Sequence, residues 1–250
     1  MQLREVKCFG VSAGEGNAAL VVQGGPADQA GRQAFARRQD VSACVFIDGD
    51  VLDFYYPHMR SPLCLHATLA AAPVLFAQQG SDAPIVVKTA MHGQRLALSR
   101  EGDEVFVGLR RQAVAAVAPP LELIAELLGA PVPLLIPTPV VASVGSPKLL
   151  VEVTDSAALQ GLRPDLARIV AWGKAAGING IYVYCRIGAG VYEGRNFNHL
   201  DPVMEDSATG VAAGALTVVL GCGMSLYQGA RRCMIRTRLD GETILIGGRA

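Results

Sequence analysis

Apolar positions along this chain come in short runs, with no long stripe. Residues 3–9 alternate, 18–22 and 44–47 are apolar throughout, and 52–56 are rich in aromatics, which predicts four strands. Residues 28–39 between them have helical character. The segment 63–78, LCLHATLAAAPVLFAQ, is rich in Ala and Leu and predicts a buried helix despite Pro73. Further strands are expected at 85–89, 94–98 and 104–109. Ala118-Pro119-Pro120 then breaks the pattern, and residues 121–128 read as a short helix stopped by Gly129.

The second half repeats this grammar. Strands are expected at 140–144 and 148–153, a helix at 163–176, and strands at 180–185 and 191–197. A helix of small residues follows Asp206, then strands at 233–238 and 243–246. The two central helices also begin alike, with Cys64-Leu65-His66-Ala67-Thr68 matching Ala208-Thr209-Gly210-Val211-Ala212. This internal repeat predicts an α+β fold of two similar domains, 1–117 and 118–250, each a sheet wrapped around one buried helix. The last strand could pack back on the first domain. If the halves face each other, both helix N-termini converge on a cleft suited to a carboxylate-bearing ligand.

Residues 205–216, E-D-S-A-T-G-V-A-A-G-A-L, carry the candidate chemistry. The first amides of a helix lack intrahelical partners and attract negative charge. Thr209 and Gly210 open that end, and Asp206 stands where a titratable carboxylate could meet a bound anion. The alternative for Asp206 is an ordinary helix cap. Gly14-Glu15-Gly16-Asn17-Ala18-Ala19 matches a dinucleotide-binding pattern, but a strand follows it where a helix is required, so no nucleotide site is expected.

Charge narrows the partners. The 22 Lys and Arg balance 22 Asp and Glu, leaving no footprint for nucleic acid. The local cluster Arg231, Arg232, Arg236 and Arg238 reads as one strand face. No apolar run approaches the roughly 20 residues of a membrane span, and the N-terminus is unlike a signal peptide. Six scattered cysteines suggest reduced thiols in the cytoplasm, and four dispersed histidines argue against a zinc site.

Taken in order, G-N-A-A-L-V-V, L-C-L-H-A-T-L-A-A-A, E-D-S-A-T-G-V-A-A-G-A-L and I-G-G-R resemble the phenazine-biosynthesis PhzF-like family of the diaminopimelate epimerase fold. The resemblance implies two pseudo-symmetric domains, each a mostly antiparallel sheet around a central helix, no cofactor, and commonly a homodimer. It implies proton transfer beside a carboxylate, giving an epimer or a shifted double bond. His66 matches the histidine of the family's C-G-H-A-T, and Asp206 the aspartate of E-D-P-A-T-G-S-A. Departures accompany these matches. The family's S-E-T-A-F-V reads Ser42-Ala43-Cys44-Val45-Phe46-Ile47, so Ala43 replaces the proton-shuttling glutamate. Val211 replaces a serine, Leu65 a glycine, and Arg60 stands where relatives often carry glutamate; Gln228-Gly229 is kept, but the G-R-P-S after it is not. Cys64 matches the first thiol of the two-thiol epimerases, yet Thr209 occupies the second position.

The leading expectation is a cofactor-independent isomerase or epimerase-like enzyme of secondary metabolism acting on a small carboxylate-bearing metabolite. His66 and Asp206 are its expected acid–base pair, and Asn17, Ser42, Cys64, Thr209 and Gly210 its expected substrate-binding residues. His58 reads as a surface loop residue, and Cys44 as a small apolar one. The alternative is a repurposed scaffold that binds a small molecule or a partner.

Overall fold

The computed structural model describes residues 1–12, 14–198, 205–230 and 232–250. It comprises two units, Met1–Leu109 with Ile246–Ala250, and Arg110–Leu245. In the first, the order is β1 (Gln2–Cys8), β2 (Asn17–Gln23), α1 (Gln29–Ala36), β3 (Ala43–Asp48) and β4 (Val51–Tyr55). Then come β5 (Arg60–Ser61), α2 (Leu65–Gln79), β6 (Ile85–Thr89), β7 (Arg95–Glu101) and β8 (Glu104–Arg110). The second unit opens with α3 (Leu121–Leu128), β9 (Val140–Ala142), β10 (Lys148–Glu152), α4 (Ser156–Gly161) and α5 (Leu166–Ala176). It continues with β11 (Ile181–Gly188), β12 (Val191–Phe197), α6 (Gly210–Leu220), β13 (Ser225–Gln228) and β14 (Cys233–Asp240), and β15 (Thr243–Arg249) passes from the second unit into the first at Ile246.

The repeat expected from sequence is written in the strand pairing. Along β1-β2-β3-β4-β6-β7 the pairs run antiparallel, parallel, antiparallel, parallel, antiparallel. Along β9-β10-β11-β12-β13-β14 they run in the same sequence. Parallel neighbours need a crossover. The crossovers also correspond, with α1 matching α4 and α5, and α2 matching α6. In each unit the α+β plan is therefore a mixed, mostly antiparallel sheet about one central helix. The central helices are apolar nearly all round, as helices enclosed by a sheet must be. Leu69 and Ala70 to Ala72 of α2 are fully buried, as are Ala212, Ala213, Ala215 and Leu216 of α6. Both helices stop at a left-handed glycine, Gly80 and Gly221.

The outer face of each sheet carries the remaining helices. α1 lays Phe35 and Ala36 on Leu20, Cys44, Phe46 and Tyr55. At its edge the buried Asp53 carboxylate accepts from Arg32 at 3.0 Å and Arg60 at 2.8 Å, so Arg60 serves the core of this face. In the second unit α3, α4 and α5 bury Ile124, Leu128, Leu159 and Ile169 against Leu149, Val151, Ile181 and Val183.

Most expected elements lie within a residue or two of their places. The expected helix 163–176 begins only at Leu166, because Asp165 caps it on the Arg168 amide just after Pro164. α4, β5 and β13 have no counterpart in the sequence reading. The dinucleotide-like glycines lead into β2 and not into a helix, as expected. Of the arginine cluster, Arg236 and Arg238 share a face of β14, Arg232 sits in the turn before it, and Arg231 lies outside the described residues. No disulfide joins any of the six cysteines, and only Cys222 is exposed. Among the described residues no helix is long and apolar enough to cross a membrane.

Candidate functional site

In the first unit, strand direction brings four expected site residues together. β2 and β3 are parallel, so Asn17 at the start of one and Ser42 just before the other lie at the same end. β4 runs back to that end, pairing Tyr55 with Cys44, and α2 begins there after the short β5. Ser42 Oγ lies 2.5 Å from Asn17 Oδ1, 2.6 Å from the Ala18 carbonyl and 3.1 Å from His66 Nε2. The other imidazole nitrogen, Nδ1, is 3.3 Å from Cys64 Sγ. Cys64 is the N-cap of α2, and its side chain makes no capping bond. Asn17, Cys64 and His66 are buried, while Ser42 is half-buried.

The second unit repeats the arrangement with different chemistry. β12 runs to the end where β11 starts, and α6 begins at that end with Thr209 as its N-cap. Asp206 is thus not the cap residue itself. It forms a backbone bridge to Asn196 of β12, and its Oδ2 accepts from Thr209 Oγ1 at 2.6 Å. Gln228 fixes this turn. Its Nε2 donates to the Asp206 carbonyl at 2.6 Å and to Thr209 Oγ1 at 3.1 Å. Its Oε1 accepts from the Thr209 amide at 3.2 Å and from Tyr182 Oη at 3.0 Å. Both amide protons and the carbonyl are used, so the buried Gln228 has a single workable orientation. Asp206 is half-buried at the wall of a cavity of about 300 Å³ that Glu193, Arg195, Glu205, Gln228 and Gly229 also line. Gly210, the first residue of α6, is buried beside this turn.

Sequence reasoning passed over three groups here. Gln228 was visible only as a retained Q-G. Tyr182 is fully buried, and burial first, then Asp206 and Glu205, holds its phenol well above the ordinary value. Lys148, the first residue of β10, has no exposed surface, and its ammonium donates to the Asn179 carbonyl at 2.5 Å. Desolvation lowers its pKa to about 7, against the opposing pull of Asp206. The only signal available was a lysine in phase with Leu150 on the inner face of a strand. The fully buried Asn196 carboxamide, next to Asp206, finds no hydrogen-bond partner among the described residues.

Other candidates separate from these clusters. His58 is exposed and stacks on Tyr56, with ring centroids 5.8 Å apart. Cys44 is a buried thiol pushed up to about 11 by desolvation, which fits its reading as a small core residue. Ala43 is buried and carries no titratable group. Val211 is half-buried in the first turn of α6. Among the described residues, no group of three or more His, Cys, Asp or Glu could hold a metal ion.

Gly194 protects the Gln228 network. A Cβ there would collide with Tyr182 Oη, inside the fully buried ring's own space. Gly194→Ala is expected to cost about 1–3 kcal/mol through overpacking. Chemical denaturation measures this, and an unchanged midpoint would mean that the ring moves freely.

Comparison with known proteins places these clusters in context. A family model described as phenazine biosynthesis-like protein, PhzC-PhzF, matches residues 6–237. An uncharacterized isomerase of Pseudomonas aeruginosa is 30% identical over 257 aligned residues, covering 98% of this chain and 94% of its own. One from Deinococcus radiodurans is 28% identical, covering 86% of this chain and 75% of its own. Two solved structures share the fold. A predicted epimerase of Pseudomonas aeruginosa superposes with a TM-score of 0.79 at 24% identity, covering 99% and 95% of the two chains. A PhzF-family protein of Bacillus anthracis gives 0.79 at 18% identity, covering 100% and 96%.

Proposed function

Because the chain belongs to the phenazine biosynthesis-like (PhzC-PhzF) family, we propose that it is an isomerase that moves a proton on a small carboxylate-bearing metabolite without a cofactor. The observation that carries this reading is Asp206. It is a half-buried carboxylate that accepts from Thr209 Oγ1, on a turn that Gln228 ties through the Asp206 main-chain carbonyl at the start of a helix, on the wall of a cavity. A helix start favours the negative charge that builds up when a carbon beside a carboxylate loses its proton. A carboxylate held in place there can take or return that proton. His66 is the corresponding group of the first unit, and Asn17, Ser42, Cys64, Thr209 and Gly210 are the residues that orient the ligand. The names of the isomerase relatives support the same reaction class.

A second reading is favoured by Ala43. It is a buried alanine where the family resemblance implies a glutamate, as expected if the pocket now only binds a small molecule or a partner. One experiment separates the two. The protein is incubated in deuterium oxide with a panel of small amino, hydroxy and unsaturated carboxylates, and deuterium on carbon is read by mass spectrometry. Incorporation into at least one ligand is the expected result. A ligand that raises the unfolding temperature yet gains no deuterium would point to the scaffold.

A further inference from the structure

Two neighbours of Thr209 Oγ1 fix where its single proton goes. Gln228 Nε2 lies 3.1 Å away and Asp206 Oδ2 lies 2.6 Å away. The Gln228 carboxamide cannot be turned round. Its nitrogen faces the Asp206 carbonyl at 2.6 Å, which only accepts, and its oxygen faces the Thr209 amide at 3.2 Å, which only donates. Tyr182 Oη, 3.0 Å from the same oxygen, holds it there. Nε2 therefore donates to Thr209 Oγ1, and the hydroxyl proton has Asp206 Oδ2 as its acceptor. A hydroxyl aimed in this way distinguishes the two forms of the carboxyl group. The carboxylate takes the proton in a strong bond, whereas a carboxylic acid accepts it weakly, and a proton on Oδ2 would oppose it.

We infer that Gln228 is a positioning residue that aims the Thr209 hydroxyl at Asp206 Oδ2 and so keeps Asp206 ionised, as the base of the second unit. The part as a base rests on the isomerase reading above; the aimed hydroxyl does not. In the reaction the carboxylate takes a proton from the ligand carbon, whose electron pair moves into the neighbouring carboxylate, and Asp206 then returns the proton. The hydroxyl proton stays on Thr209 throughout, so Thr209 orients the ligand through Asp206. Other ionisable groups act on Asp206 as well. Lys148 of β10 and Tyr182 of β11 sense its charge, and Glu193, Arg195 and Glu205 line the same cavity. Each of them is retained in every variant below.

The test follows the Asp206 γ-carboxyl itself, in full-length protein labelled with aspartate carrying ¹³C at that carbon. Its NMR signal, identified by its loss in Asp206→Asn, is titrated with pH. Thr209→Val is expected to raise the midpoint by about one pH unit, the scale of one hydrogen bond to the charged form. Thr209→Ser, which keeps a hydroxyl, should titrate like wild type. Gln228→Met keeps the hydroxyl but loses its aim, so its midpoint should rise nearly as far as that of Thr209→Val. A wild-type midpoint in either Thr209→Val or Gln228→Met overturns the inference. If Gln228→Met does not fold, Gln228→Glu is titrated with and without Thr209→Val. A shift that shrinks beside the valine supports the inference, and one of equal size in both acts through charge alone and overturns it. Deuterium incorporation is measured on the same proteins. Raised midpoints without incorporation in wild type remove the isomerase reading and leave the aimed hydroxyl standing. Incorporation with unmoved midpoints removes only the role of Gln228.

Discussion

Replacing Asp206 with asparagine is expected to slow deuterium incorporation by about 10²–10⁴-fold, the range for losing a general acid–base group. The substitution preserves shape. An amide oxygen can still accept from Thr209 Oγ1, and Gln228 Nε2 still donates to the residue-206 carbonyl. Besides the titratable carboxylate, only the long 3.4 Å contact from the Ala208 amide to the other oxygen disappears among the described residues. Thermal unfolding should therefore shift far less than the rate. Incorporation within about threefold of wild type, well short of that range, would show that Asp206 positions the turn but moves no proton.

The second large effect concerns stability and pH. Lys148 is completely buried with a pKa of about 7, against 10.5 for an ordinary lysine. Between these values the folded protein holds it neutral while the unfolded chain holds it protonated. The unfolded state then binds one more proton, so stability must rise with pH, by up to about 1.4 kcal/mol per pH unit. Below pH 7 the whole penalty is present, corresponding to roughly 5 kcal/mol. Asp206 opposes it, and Tyr182, which also feels Asp206, stays neutral throughout. Cys44 works the other way. Its folded value near 11 exceeds the ordinary 9.0, so its contribution is lost as pH climbs through that interval. The clean window is thus about pH 7–9. In urea melts, wild type should gain stability across it, whereas Lys148→Met should be nearly flat. The methionine side chain would give up the bond to the Asn179 carbonyl but remove a buried ammonium. A net gain of about 1–4 kcal/mol at about pH 6.5 is expected, as when a buried charge gives way to an apolar side chain. A wild-type profile without slope in that window would mean that Lys148 keeps its proton when buried.

How much of this was legible from sequence depended on whether a residue's role left a local mark. His66, Cys64, Asp206 and Thr209 mark helix starts, where small residues and caps give a pattern, and the structure places them at those starts. Asn17 and Ser42 were found through the family motifs G-N-A-A and S-E-T-A-F, and the parallel pairing of β2 with β3 makes them neighbours. Lys148 and Tyr182 left no such mark, because each is a single inward-facing position in an ordinary strand. The helix boundary near residue 163 failed because Pro164 tolerates a helix start, while the Asp165 cap determines it. β13 was missed because its four residues sit between a glycine-rich turn and Gly229, too short for alternation to register. What Ala43 means for chemistry follows from no local pattern at all.

The C-terminal strand has a consequence for how this chain comes to exist. Thr243–Arg249 begins in the second unit and ends in the first, where Gly247 lies flush against the Val105 carbonyl and Arg249 reaches Asp103. The Phe9 amide likewise waits for the Arg249 carbonyl. Everything from Arg110 to Leu245 must leave the ribosome before those partners arrive. Until then the edge of β8 is an unpaired template for other chains. The half of the protein that is synthesised first is the half that is finished last.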